Sequence, residues 1–79
     1  MSTYPKFSVS MCVYYGDNAQ NFDMALGSVV DQTLQPCEIV LTVDGPIPQK
    51  LENVIEKYRN QLVDSKIDFK VLYLPQNVG

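Results

Sequence analysis

The residues of this chain best suited to chemistry stand at the ends of its apolar segments. Tyr14 and Tyr15 end the first segment, Asp44 ends the second, and Asn77 and Gly79 follow the third. An aromatic ring can stack on a nucleobase. A carboxylate at such a position can accept a hydrogen bond from a ribose hydroxyl or a base N–H. The residue types at these ends are therefore those of a nucleotide-binding surface.

Each of these residues also has a structural interpretation. Tyr14 could close the end of the core, since tyrosine combines an apolar ring with a polar tip. Asp44 precedes a Gly-Pro pair and could simply form a turn. Asn77 and Gly79 fit either a turn or the start of a helix that faces an anion. The residue types alone leave both interpretations open at every position.

The composition excludes several classes of function. The chain has 79 residues, with six Lys and Arg, nine Asp and Glu, no His and a formal charge of −3. Without histidine, Ser-His-Asp and Cys-His catalysis are excluded, and a structural zinc site is disfavoured. The acidic balance argues against nucleic-acid binding. No G-x-G-x-x-G, P-loop or G-x-S-x-G motif occurs.

Length and hydropathy indicate one globular unit that is short for a domain. The chain is 46% apolar and 19% charged, which is typical of globular proteins. No apolar run approaches the ~20 residues of a membrane span. A chain this short has a marginal core on its own, so we expect it to be a piece of a larger protein. The sparse cysteines, Cys12 and Cys37, are expected to stay reduced.

The spacing of apolar residues predicts three strands and two helices. Residues 7–14 begin with alternating apolar positions, whereas 38–44 and 68–74 are short, largely apolar segments typical of strands. Apolar residues at i, i+3, i+4 and i+7 predict amphipathic helices over 18–33 and 48–63. Gly27, inside the first helix, is expected to allow close packing on a sheet.

This β-α-β-α-β order predicts an α/β fold with parallel strands and right-handed crossovers. It corresponds to one half of a doubly wound sheet. Ligands of such sheets bind beyond the carboxyl ends of the strands. Tyr14 and Asp44 stand at two of these ends, so we expect them at the same edge of the sheet.

Four sequence segments, in order and at compatible spacing, resemble the start of family 2 glycosyltransferases. They are the strand SVSMCVYY at 8–15, SVVDQT at 28–33, PCEIVLTVDG at 36–45 and NVG at 77–79. The resemblance covers residues 7–79 and implies a three-layer α/β sandwich with strand order 3-2-1. It makes 1–79 the truncated N-terminal, nucleotide-binding part of an inverting catalytic domain. The Pro at 46 resembles the branch of exopolysaccharide and lipopolysaccharide side-chain transferases.

The resemblance also implies roles for individual residues. Tyr14 matches the residue that stacks beside the base, and Cys12 matches a position whose backbone lines the base pocket. Asp44 matches the carboxylate that contacts the base or the ribose. Asn77 and Gly79 match the loop that borders the nucleotide. These five residues form the expected nucleotide site, and no catalytic or metal-binding residue is expected within this segment.

The resemblance further implies what the parent protein needs. Its metal-binding Asp-x-Asp and its catalytic base follow this segment in the family, so Mg²⁺ or Mn²⁺ is expected to bind outside it. The segment alone is expected to be inactive. The parent would transfer a sugar from a nucleoside diphosphate sugar, with a UDP-sugar favoured, to a polysaccharide or glycolipid acceptor. It would work in the cytoplasm or at the inner face of the membrane.

Two further expectations concern association and alternative functions. The family places more strands beside the first one, so the free edge of that strand is expected to promote homodimerisation here. Alternatives to a glycosyltransferase are a stand-alone nucleotide-binding module of another α/β family and an interaction domain that binds no small molecule. Tyr14→Ala would weaken ligand binding in the first alternative, whereas substitution of Tyr14 or Asp44 would affect only stability in the second.

Overall fold

A computed structural model of the chain describes residues 6–75, in which strands and helices alternate. The elements are β1 (Ser8–Tyr14), α1 (Ala19–Asp31), β2 (Glu38–Asp44), α2 (Gln49–Leu62) and β3 (Asp68–Leu74). The predicted β-α-β-α-β order is thus confirmed, and β2 and β3 have their predicted bounds. The helices are one to two residues shorter at each of their predicted ends, and β1 begins one residue later. The predicted site residues Asn77 and Gly79 lie outside the described residues.

The three strands form one parallel sheet in the order β1-β2-β3. This is the predicted order 3-2-1 named from the opposite edge. The register aligns Tyr14 on β1 with Asp44 on β2 and Leu74 on β3. The last residues of all three strands therefore lie side by side at the carboxyl edge.

Both helices cover the same face of this sheet. Alternate residues of β2 (Ile39, Leu41 and Val43) are fully buried against them. The two helices also pack against each other. Their buried residues are Phe22, Leu26, Val30, Leu51, Ile55, Tyr58 and Leu62. The opposite face of the sheet is not covered by any element within residues 6–75. The described part thus forms two of the layers of the three-layer sandwich.

The helix ends follow from local chemistry. Asn18 caps α1, because its side-chain oxygen accepts a hydrogen bond from the Asn21 N–H at 3.0 Å. At the other end, Gln32 is extended and its amide donates to the Leu34 carbonyl. In α2 the Pro48 carbonyl accepts the first N–H groups of the helix. These contacts set where α1 begins and ends and where α2 begins.

Gly27 packs against the second helix, and the expectation that it packs on the sheet is wrong. A Cβ at this position would lie 2.9 Å from the Tyr58 hydroxyl of α2. The periodicity of α1 could not reveal this, because the neighbour of a helical glycine depends on how two helices cross. The small residue therefore serves the contact between α1 and α2.

The same hydroxyl belongs to a polar cluster that joins the helices. Tyr58 Oη donates to Asp23 Oδ1 at 2.6 Å, and Lys57 Nζ lies 2.7 Å from the same oxygen. The hydrogen bonds from Lys57 and then Tyr58 hold the pKa of Asp23 below its ordinary value. Burial, followed by the hydrogen bond to Asp23, raises the pKa of Tyr58 to about 12. The phenol is therefore held in its protonated form.

This cluster predicts a loss of stability in alkali that depends on Tyr58. A tyrosine of the unfolded chain titrates near about pH 10, whereas the Tyr58 pKa in the fold is about 12. Between these values the unfolded state loses the proton first, so the contribution of Tyr58 is complete below about pH 10 and falls as pH rises through 12. Urea unfolding across this pH range should show a steeper decline for the wild type than for Tyr58→Phe. Equal declines would contradict the prediction.

Two expectations from the sequence concern the cysteines and the possibility of a membrane span. Cys12 and Cys37 are both free thiols. Both are exposed, although a cysteine inside a strand such as Cys12 is more often a buried small hydrophobe. In the part of the chain that the structure describes, the helices are too short and too polar to cross a bilayer.

Candidate functional site

The candidate site lies at the carboxyl edge of the uncovered sheet face. Tyr14 and Asp44 occupy the same register position on β1 and β2, and adjacent strands lie about 4.8 Å apart. Cys12 is two residues before Tyr14, so its side chain shares the same face, and it pairs with Thr42. Three of the five predicted site residues therefore come together on one surface.

Tyr14 is not part of the apolar core. Its neighbour Val13 is 0% exposed and closes the end of the core, whereas the Tyr14 side chain is 48% exposed. Tyr15 is more exposed still. Tyr14 therefore does not close the end of the core, which was its structural interpretation from the sequence. The exposed ring is available for stacking on a planar ligand.

Asp44 stands where β2 ends and the chain turns away. It is half-buried and still belongs to the strand, and the next residue, Gly45, takes a φ of 84°. Such a positive φ favours glycine, because a Cβ would clash with the backbone there. The turn therefore begins at Gly45 and leaves the Asp44 carboxylate on the same sheet face as Tyr14.

A closed turn follows Tyr14 and involves Asp17, a residue with no role in the sequence-based site. The Asp17 N–H donates to the Tyr14 carbonyl at 3.0 Å. In return, the Tyr14 N–H donates to Asp17 Oδ2, also at 3.0 Å. An Asp that follows a Gly three residues after a strand end is a turn pattern that could have revealed this residue.

The opposite edge of the same face is occupied by an ionic cluster. Lys70 Nζ lies 2.6 Å from Glu38 Oε2, and the Ser8 hydroxyl donates to Glu38 Oε1 at 2.7 Å. The hydrogen bond between Lys70 and Glu38 lowers the pKa of Glu38 and raises the pKa of Lys70. The charge of Lys70 therefore balances part of the negative charge that Glu38 and Asp68 bring to this edge. The exposed ring of Tyr14 on β1 lies at the other edge.

A metal ion requires a set of ligand groups that lie close together. No group of three or more His, Cys, Asp and Glu side chains is placed to hold one within residues 6–75. No chemical step through a metal is therefore assigned to this part of the chain.

Comparison with known proteins gives several related sequences. The chain is 39% identical over 74 residues to an uncharacterized glycosyltransferase from Haemophilus influenzae, covering 94% of this chain and 26% of the relative. It is 33% identical over 75 residues to the UDP-Gal:alpha-D-GlcNAc-diphosphoundecaprenol beta-1,3-galactosyltransferase of Escherichia coli, covering 95% and 26%. It is 38% identical over 56 residues to the amylovoran biosynthesis glycosyltransferase AmsE of Erwinia amylovora, covering 71% and 21%.

These matches extend over nearly all of the chain but only part of each relative. The chain spans about a quarter of the length of the curated relatives it matches. Residues 8–79 also match the family described as Glycosyl transferase family 2. The match includes the strands and both helices whose packing places Tyr14 beside Asp44. The chain therefore belongs to glycosyl transferase family 2.

Proposed function

We propose that this chain forms the donor-nucleotide side of a glycosyltransferase active site. The observation that carries the proposal is the adjacency of Tyr14 and Asp44 at the carboxyl edge of a parallel sheet. This edge is where open α/β sheets bind ligands. Membership of the glycosyl transferase family supports the nucleotide of an activated sugar as that ligand.

In this proposal each residue of the edge contacts a different part of the nucleotide. The Tyr14 ring stacks on the base, an interaction of about 1–3 kcal/mol in stacking systems. Asp44 accepts a hydrogen bond from a base N–H or a ribose hydroxyl. The backbone at Cys12 lines the base pocket, and Asn77 and Gly79 border the nucleotide. None of these residues carries out the chemical step.

The names of the relatives support a donor and an acceptor class. The Escherichia coli relative is named for UDP-Gal and for a diphosphoundecaprenol-linked acceptor. We therefore propose a UDP-sugar donor and a glycolipid or polysaccharide acceptor, used at the cytoplasmic face of the membrane. Transfer would form a bond between an acceptor hydroxyl oxygen and the anomeric carbon and break the bond from that carbon to the diphosphate.

The remaining parts of the reaction are proposed for residues beyond this segment. A general base would take the proton of the acceptor hydroxyl. Mg²⁺ or Mn²⁺ would neutralise the charge of the departing diphosphate. This segment by itself would bind the nucleotide without transferring the sugar.

An NMR titration of the ¹⁵N-labelled chain with UDP, GDP, dTDP and AMP tests the proposal. UDP should shift the amide signals of Cys12, Tyr14 and Asp44, and the other nucleotides should shift them less. Shifts confined to the opposite edge of the sheet, around Lys66 and Ile67, would contradict the proposed site. An absence of shifts with all four nucleotides would favour the interaction-domain alternative.

Tyr14→Ala should weaken UDP binding because it removes the stacking surface. A loss of about 1–3 kcal/mol corresponds to an affinity roughly 5- to 150-fold lower. The matched control is Tyr15→Ala, which removes a neighbouring ring that is 73% exposed and lies beyond the strand. The same titration should give near wild-type affinity for this control. Equal losses for both variants would show that Tyr14 has no specific role.

We also propose that the free edge of β1 makes this chain a homodimer. Among the described strands, β1 pairs only with β2, and an exposed strand edge favours pairing with another chain. Sedimentation equilibrium at increasing protein concentration should show a monomer–dimer equilibrium. A single monomeric species at the highest concentration would overturn this proposal.

A further inference from the structure

We infer that Asp17 is a positioning residue that, together with Gly16, holds the Tyr14 ring in the orientation that receives the nucleobase. This inference rests on the proposed function, because it concerns how the ring is presented to the nucleotide. Asp17 itself would not touch the ligand. Its effect would pass entirely through Tyr14.

The first support is the pair of hydrogen bonds between Asp17 and Tyr14. The Asp17 N–H binds the Tyr14 carbonyl and the Asp17 carboxylate binds the Tyr14 N–H, each at 3.0 Å. Together they fix both backbone polar groups of Tyr14 at the point where β1 ends. The Tyr14 Cα–Cβ bond therefore leaves the strand in a defined direction, although the residue is exposed.

The second support is the contact between the Tyr14 ring and Gly16. A Cβ on Gly16 would lie 2.9 Å from Cε2 of Tyr14, 3.3 Å from Cζ and 3.4 Å from Oη. Of the glycines in the described residues, Gly45 alone has a positive φ, so Gly16 is not needed for its backbone conformation. It leaves room for the ring in this position, because the Cε2–Cζ edge of Tyr14 occupies the space that a Cβ at residue 16 would need.

These two features constrain the Tyr14 side chain at different points. The turn fixes the direction of its Cα–Cβ bond, and the missing Cβ of Gly16 leaves the space that the ring occupies. Tyr14 is still 48% exposed in this arrangement, so the ring keeps a free surface for a base. A ring held in advance loses less side-chain entropy on binding than a mobile one.

A double-mutant cycle with UDP tests the inference. Asp17→Ala should lower the affinity of the chain for UDP by about 3- to 10-fold, the effect of losing one hydrogen bond. Asp17→Asn is the conservative control, because its amide oxygen can still accept the bond from the Tyr14 N–H, and it should bind UDP nearly as the wild type does. In a Tyr14→Ala background, Asp17→Ala should have no further effect. An undiminished effect in that background would overturn the inference.

Gly16→Ala gives a second test that leaves Asp17 in place. The added methyl group would push the Tyr14 ring aside, so we expect a similar 3- to 10-fold loss of UDP affinity, about the scale of one lost contact. This loss should also vanish in the Tyr14→Ala background. If Asp17→Ala fails to fold, the Gly16→Ala cycle decides the question alone.

A measurement without nucleotide separates this inference from the proposed function. The Tyr14 ring should shift the Gly16 Hα resonance through its ring current. That shift should be lost in Tyr14→Ala, reduced in Asp17→Ala and kept in Asp17→Asn. A reduced shift in Asp17→Ala together with an absence of UDP binding by the wild type would refute the proposed function, while the role of Asp17 in holding the ring would stand. An unchanged shift in Asp17→Ala would refute the positioning role.

Discussion

Replacing Leu41 with alanine should lower the free energy of unfolding by about 2–5 kcal/mol, the range for truncation of a buried leucine. Leu41 is fully buried at the centre of β2, the middle strand, beneath both helices. At about 0.05–0.15 kcal/mol per residue, a chain of 79 residues has only about 4–12 kcal/mol of stability in total. The substitution should therefore remove a large share of the stability of the fold. Urea denaturation followed by far-UV circular dichroism measures the difference.

Leu72→Ala is the matched control for this substitution. Leu72 lies on β3, next to Thr42 of β2, but it is on the uncovered face and is 53% exposed. The same atoms are removed without leaving a cavity, so the loss should stay below about 1 kcal/mol. Similar losses for the two variants would mean that the uncovered face is buried in solution. Self-association through that face would then have to be measured.

Asp44→Asn should weaken the binding of UDP by about 10- to 150-fold, because hydrogen bonds to a charged group contribute about 1.5–3 kcal/mol. The substitution keeps the size of the side chain and its place beside Tyr14. It removes the carboxylate that is proposed to accept a hydrogen bond from the base or ribose. Isothermal titration calorimetry or the NMR titration measures the change.

Asp68→Asn is the control for the change in net charge. Asp68 is on the same face of the sheet, at the amino edge next to Glu38. Both variants make the chain less negative by the same amount, which by itself favours an anionic ligand at long range. Asp68→Asn should therefore leave UDP affinity unchanged or slightly raise it. If Asp44→Asn behaves in the same way, Asp44 does not contact the nucleotide.

The uncovered face links these predictions to function. Its amino edge carries Lys70 in ion pairs with Glu38 and Asp68, whereas its carboxyl edge carries Tyr14 and Asp44. The helix-covered face supplies the stability that holds the strands in register. Stability and ligand binding therefore depend on opposite faces of one sheet, and the Leu41 and Asp44 variants should separate them.

The secondary structure was largely predictable from the sequence. The strands β2 and β3 have their predicted bounds, because each is a short, largely apolar segment between polar turn residues. The first helix was predicted to extend to residue 33 but ends at Asp31. Apolar periodicity continues past that point, whereas the real end is set by the extended backbone of Gln32 and its hydrogen bond to Leu34.

The candidate site was only partly predictable. Tyr14 and Asp44 were expected at one edge, since carboxyl ends of parallel strands meet there, and the register places them side by side. Asp17 was missed as part of this edge, because its contacts depend on the path of the chain after β1. The nucleotide-binding roles of Cys12, Tyr14, Asp44, Asn77 and Gly79 remain predictions.

The sequence by itself determined the element order, the parallel sheet and the family, because these depend on periodicity and on motif order along the chain. Only the tertiary structure decided which sheet face the helices leave uncovered, that Gly27 meets Tyr58, and that the Tyr14 ring rests on Gly16. The physical reason is that these features depend on contacts between elements. Local patterns specify what each element is, whereas packing specifies which of its side chains reach a ligand.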